Sequence, residues 1–159
     1  MVMSPESDKK GAAVKVPPPL LVFVVLLLAY ALNAIIPFPI GSSPGLEFAG
    51  YFLVGISLLI IGLSSWLFRS LNTHIEPWKP TTTMITTGFF AISRNPIYLS
   101  LCVACIGVGM ILQSWWVLFS VIPAALLLYH FVIAREEAYL ERKFGEAYVQ
   151  YKARVRRWL

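Results

Sequence analysis

Four long apolar runs, none holding an Asp, Glu, Lys or Arg, set the terms for any fold this chain can adopt. They extend from about Leu20 to Ile36, Phe48 to Phe68, Ile97 to Leu112 and Trp115 to Ala134. A helix needs roughly 17–25 predominantly apolar residues to cross the hydrocarbon of a bilayer. The third run, with 16 residues, reaches across only if its Pro96 end lies in the interface. Composition agrees: 58% of residues are hydrophobic and 13% charged, with a mean hydropathy of +0.73. Soluble domains are nearer half apolar and about a quarter charged. The reading is an all-α integral membrane protein with four transmembrane helices. No polar segment is long enough for a separate soluble catalytic domain.

Proline punctuates the runs. Pro17-Pro18-Pro19 precedes the first and Pro37-Phe38-Pro39 follows it, while Gln113-Ser114 alone separates the last two. Lys9, Lys10 and Lys15 ahead of an apolar run containing Ala29-Tyr30-Ala31 have the form of a secretory signal. More membrane sequence follows, so the run is read as an uncleaved first span. Of the 13 basic residues, three precede the first run. Arg69, Lys79 and Arg94 lie between the second and third. Arg135, Arg142, Lys143, Lys152, Arg154, Arg156 and Arg157 follow the fourth. The two other loops have none. The positive-inside rule therefore expects a multi-pass protein with both termini and the middle loop in the cytoplasm. Three parts follow: a cytoplasmic tail over 1–19, a two-span hairpin over 20–68, and a core over 69–159. The core holds a polar loop, a second two-span hairpin and a helical tail.

In that tail Leu140, Phe144, Tyr148, Tyr151, Val155 and Trp158 recur at helical spacing, which predicts an amphipathic helix with an apolar stripe and a basic back. Such a helix suits a surface of anionic lipid headgroups, and nucleic acid is not expected as a partner. Gly145 marks where it bends or breaks. Cys102 and Cys105, the only cysteines, lie inside an apolar run and read as small packing residues between helices. No His, Cys, Asp and Glu spacing matches a metal site. Neither nucleotide-binding glycine motif occurs.

Three polar groups could carry chemistry. Arg94-Asn95-Pro96-Ile97-Tyr98 opens an apolar helix: Asn95 suits the N-cap and Pro96 the first turn. Read structurally this is a capped helix with a snorkelling arginine. Read functionally, a helix start offers free N–H groups and positive potential to an anion. Arg135-Glu136-Glu137 sits where the fourth run ends, with two adjacent acids that water-facing charge does not require there. Glu136 is expected to take a cationic partner. Glu137, about 100° further round a helix, is expected to matter less if it faces water. Third, Lys79 to Gly88, "KPTTTMITTG", reads as an ordered loop.

Together these residues resemble a known family. A Thr-rich loop, then "TTGFFAISRNPIYLS", a helical hairpin, and "REEAYLERKFGEAYVQYKARVRRWL" is similar to the isoprenylcysteine carboxyl methyltransferases, which belong with the integral membrane phospholipid methyltransferases. The similarity covers roughly Asn72 to Leu159. It implies methyl transfer from S-adenosylmethionine, bound on the cytoplasmic side, to a lipophilic acceptor entering from the bilayer. By position it implies cofactor contacts from Thr82, Thr83, Met84, Ile85, Phe90, Asn95, Pro96, Ile97, Tyr98 and Glu136. Arg94, Arg135 and Glu136 are the catalytic candidates. Two positions depart from the family. Asn95 stands where eukaryotic members have histidine, so it can hydrogen-bond but cannot carry a proton. Phe90 stands where tyrosine is usual. Two other classes compete: an NADPH-dependent reductase of sterol-reductase type, and a small four-span transporter. A transporter is expected to carry an ionisable residue inside a span, and His130 is the one titratable side chain of that kind.

Overall fold

The computed structural model describes Asp8 and residues 11–159; Lys9 and Lys10, counted in the topology argument, lie outside the described residues. Secondary structure among the described residues is helical, with no strands beyond two isolated bridges. Prolines place the helix starts. Helix α1, Pro18–Ile35, begins with proline in its first turn, where the missing N–H has no intrahelical partner to lose. Helix α2, Pro44–Ser70, begins the same way, with Glu47 in the first turn and Arg69 in the last, each complementing the helix dipole. Its end is sharp. Asn72 takes a left-handed φ of 48°. The Thr73 and Asn72 N–H groups then donate to Phe68 O (3.0 Å) and Arg69 O (3.1 Å), a Schellman closure.

Helix α3, Pro96–Ile111, is the short apolar helix at 16 residues. After it, Ser114 caps α4, Trp115–Phe119, by accepting from the Val117 N–H. Then come α5, Val121–Leu128, a π turn at Tyr129–Ile133, and α6, Ala134–Phe144. These pieces run on as one 30-residue helix, Trp115–Phe144. At 1.5 Å per residue that is roughly 45 Å, against hydrocarbon about 30 Å thick. The helix continues past Ala134, where the sequence reading ended the apolar run, to Phe144. Among the described residues, three helices are long and apolar enough to cross a membrane: α1, α2 and this long one. Gly145, with φ of 55°, ends α6, and α7, Glu146–Arg154, follows at once.

The described chain divides into two units. The apolar unit comprises Pro17–Ile61 and Ile97–Leu128. Within it α2 and α3 meet backbone to backbone: a Cβ on Gly107 would lie 2.8 Å from Gly50 O, and one on Gly50 2.7 Å from Gly107 O. Small residues allow such approach between apolar helices. Its two uncharged connections are stitched together. Ser114 Oγ donates to Asn33 Oδ1 at 2.8 Å, Trp116 Nε1 donates to Ile36 O at 2.8 Å, and the Ile40 N–H donates to Gln113 O at 2.9 Å.

The polar unit gathers three separated stretches, Met1–Val16, Gly62–Pro96 and Tyr129–Leu159. It holds the end of α2, the Thr-rich loop, a 3-10 turn at Gly88–Ala91, the π turn, α6 and α7.

Candidate functional site

The polar unit is built around the short stretch Ser93-Arg94-Asn95. Phe90, buried in the 3-10 turn just before it, packs edge-on against Phe68 with ring centroids 5.6 Å apart. The Phe90 carbonyl accepts the buried Tyr151 hydroxyl of α7 at 2.6 Å. The stretch itself is strapped to the chain beyond α7. The Arg94 N–H donates to Arg156 O at 2.9 Å. Ser93 Oγ and Asn95 Nδ2 both donate to Arg157 O, at 3.2 and 3.1 Å. The Asn95 N–H closes the turn on Ser93 Oγ at 3.2 Å. Asn95 therefore spends its side-chain donor on fixing the entry into α3.

The charged groups then meet. The Arg94 side chain is 9% exposed, and its Nη1 lies 3.2 Å from Glu137 Oε1. That is an ion-pair distance without hydrogen-bond alignment, for Arg94 Nε and Nη1 are buried and make no hydrogen bond. Arg157 holds the same carboxylate in a two-pronged grip: Nε to Oε1 at 2.9 Å and Nη2 to Oε2 at 2.8 Å. Its guanidinium also lies over the Tyr129 ring, 4.9 Å from the centroid, a cation–π contact. Two guanidinium groups thus share one carboxylate, and the cluster carries a net positive charge.

Tyrosines complete the surroundings. Burial pushes the Tyr148 hydroxyl well above its ordinary pKa, as does the Glu137 charge; the charge and hydrogen bond of Arg94 pull the other way. Burial likewise pushes Tyr151 up to about 12, against the charge of Arg94. The hydrogen bond to Glu137 raises Arg157 above its already high value, opposed by burial.

A second polar cluster braces the Thr-rich loop. The Thr81 N–H donates to Tyr139 Oη at 3.1 Å, and that hydroxyl donates to Asp8 Oδ1 at 2.6 Å. Lys143 Nζ bonds both Asp8 oxygens at 2.6 Å. Thr82 uses both its polar groups locally: its N–H reaches Thr73 Oγ1 and its Oγ1 reaches Asn72 O, each at 3.0 Å. The Ala12 N–H donates to Pro77 O at 2.8 Å, so the N-terminal stretch lies against the same loop.

Of the residues singled out by sequence, Thr82, Thr83, Met84, Ile85, Phe90, Arg94, Asn95, Pro96, Arg135 and Glu136 belong to the polar unit. Ile97 and Tyr98 open α3 in the apolar unit. Ile85, Phe90, Asn95 and Pro96 are buried, while Thr82 and Thr83 are exposed. Arg135 is exposed, with Nη1 at 3.5 Å from Ala13 O. It is two residues from Glu137, hence about 200° round the helix. Glu136 is half-buried. Glu137, read as the less important acid if it faces water, does not face water: its side chain is 12% exposed and lies between two arginines. Sequence reasoning also missed Arg157, Tyr129 and Asp8. The signal for Arg157 was weak, one arginine among seven basic residues of the tail.

Among the described residues, three membrane-length apolar helices and a cluster of the buried Arg94 and the part-exposed Arg157 on Glu137 favour a membrane protein. The family model for phospholipid methyltransferases matches residues 46–147, and the chain belongs to that family. The family points to a methyltransferase. The matched range contains α2, the Thr-rich loop, Arg94, α3 and α6 with both acids. The chain is also similar to an uncharacterized protein of Haemophilus influenzae, 44% identical over 63 residues, which are 40% of this chain and the whole of that protein.

Proposed function

We propose that this protein transfers a methyl group from S-adenosylmethionine to a lipophilic or membrane-associated acceptor. That acceptor is a prenyl-cysteine carboxylate, a lipid amine or a small hydrophobic molecule. The observation that carries the reading is Arg94: a guanidinium nine-tenths buried, with two nitrogens making no hydrogen bond, inside a phospholipid methyltransferase family match. A buried cation without its full set of acceptors is costly. The cofactor's carboxylate is an acceptor of the right charge, and the half-buried Glu136 is an acid suited to its ammonium. The residues present fit the group.

Bound there, S-adenosylmethionine supplies an electrophilic methyl group on a sulfonium. The protein's part is to bind, orient and exclude water. Arg94 and Glu136 anchor opposite charges of the amino-acid portion. The loop Thr82, Thr83, Met84 and Ile85, together with Phe90, contributes apolar and hydroxyl contacts, and Asn95 and Pro96 supply the turn beside Arg94. Asn95 and Phe90 have no group that titrates near neutrality, so a proton lost by the acceptor leaves by another route. Arg135, exposed, is placed for an anionic headgroup or substrate.

The topology belongs to the same proposal: four spans, α3 included, with both termini and the polar unit in the cytoplasm. The reductase and transporter readings draw no support from the family match. Detergent-solubilised protein titrated by calorimetry with S-adenosylmethionine and, separately, NADPH tests the choice. Saturable binding of S-adenosylmethionine alone is expected. Binding of NADPH alone overturns the proposal.

A further inference from the structure

Arg157 lies outside the matched range 46–147, yet it touches more of the polar cluster than any other residue described above. Its carbonyl accepts from Ser93 and Asn95. Its guanidinium takes both oxygens of Glu137 and rests on the Tyr129 ring. Arg94, better buried than Arg157, holds the same carboxylate only at 3.2 Å and without a hydrogen bond. The less buried cation thus has the better aligned grip. A planar fork matched to a carboxylate occupies both oxygens in the plane, and the tyrosine ring keeps the Arg157 fork facing that way.

We propose that Arg157 is a positioning residue whose grip on Glu137 keeps that carboxylate from hydrogen-bonding Arg94, leaving Arg94 Nε and Nη1 open to an anionic group of the ligand. Without the Arg157 side chain, Glu137 is the nearest acceptor for a buried cation. A shift of a few tenths of an ångström brings it to the roughly 2.8 Å of a charged hydrogen bond. The open Arg94 nitrogens are then occupied from inside the protein. The backbone half of the arrangement does not depend on the side chain, so the Ser93–Asn95 turn stays strapped in a side-chain variant. This inference rests on the reading of Arg94 as a cofactor contact.

Four variants of the full chain in detergent test it: Arg157→Gln, Arg157→Lys, Arg157→Gln with Glu137→Gln, and Arg94→Gln. Each is titrated calorimetrically with S-adenosylmethionine, with its thermal midpoint recorded alongside. Arg157→Gln is expected to weaken binding by about tenfold or more, the scale of one charged hydrogen bond. Arg157→Lys, which keeps the charge without the fork, falls between it and wild type. The double variant, with no carboxylate left to occupy Arg94, returns to within about threefold of wild type even if it melts lower. A merely structural Arg157 gives the opposite result, the double variant binding no better than the single one, and that overturns the proposal. So does wild-type affinity in Arg157→Gln while Arg94→Gln is weakened. Wild-type affinity in Arg94→Gln removes instead the cofactor contact on which the inference stands, and the inference with it.

Discussion

Replacing Tyr151 by phenylalanine removes one oxygen from the junction between α7 and the 3-10 turn that leads into Arg94. Tyr151 is 4% exposed and Phe90 8%, and the hydroxyl donates to the Phe90 carbonyl at 2.6 Å. The ring stays, so no cavity penalty arises. The cost is the lost bond, about 1 kcal/mol net, plus the desolvation of a buried carbonyl left without a donor, for a total of roughly 1.5–3 kcal/mol. In a chain of this size each kcal/mol moves the midpoint by about 2–4 °C, so a fall of roughly 3–12 °C is expected at neutral pH. The alkaline limb gives a second reading, of the burial of the same hydroxyl. An unfolded tyrosine titrates near pH 10, whereas burial pushes the folded Tyr151 up to about 12. Its contribution is therefore complete below pH 10. Between the two values the native state binds more protons than the unfolded state, so stability falls as pH rises. Phenylalanine lacks this component. Thermal scans at fixed rate, from pH 7 to pH 12, should show the gap between wild type and Tyr151→Phe closing as pH passes from about 10 to about 12. Equal midpoints at neutral pH, or a gap that stays constant across the alkaline window, would refute the reasoning.

Gly107→Ala places a Cβ against the Gly50 carbonyl and Val54 and should cost about 1–3 kcal/mol through the overpacking it forces, read as a lower midpoint in the same scans. Asn95→Ala loses the bond to Arg157 O and should lower S-adenosylmethionine affinity more than it lowers the unliganded midpoint; an unchanged affinity leaves Asn95 a fastening of the turn only. Glu136→Gln should weaken S-adenosylmethionine by roughly 1.5–3 kcal/mol. Glu137→Gln should bind as tightly as wild type but melt lower, because it strips the counter-charge from two arginines; the reverse pattern assigns the acids wrongly. Cysteines introduced at the exposed Ser42 and Gln150 should label from opposite sides of the membrane, and labelling from one side breaks the four-span topology.

Proline marked two helix starts in the sequence, Pro18 and Pro96, and the shortness of α3 was visible as a 16-residue run, whereas the second helix opens at Pro44, ahead of the run read from Phe48. The break at Gly145 was legible for the same kind of reason, since a glycine accepts a positive φ that other residues resist. The extent of the last helix was not. Arg135 ends the apolar run, but a charge marks the edge of hydrocarbon rather than the end of a helix, and α6 continues to Phe144. Periodicity also left Tyr148 and Tyr151 in an apolar stripe. Their rings are buried as that reading requires, while the hydroxyl of Tyr151 ties a carbonyl 61 positions away. The Glu137–Arg157 pair escaped because 20 residues separate them across a chain break in helical phase, and no local spacing rule spans such a gap.

The strap between Ser93–Asn95 and Arg157 joins positions 62 to 64 residues apart, which bears on the order of events during synthesis. A ribosome adds about 5–20 residues each second, so Arg94 emerges roughly 3–12 s before the residue that fastens its neighbours. For that interval the turn has neither its carbonyl anchor nor, for most of it, the Glu137 carboxylate. The apolar runs on both sides of it are by then already leaving the ribosome. The polar unit is therefore completed after translation of the hairpin, as a docking of the tail onto a waiting loop. A ribosome that pauses within α7 leaves a chain in which the Ser93–Asn95 turn still lacks its carbonyl anchor.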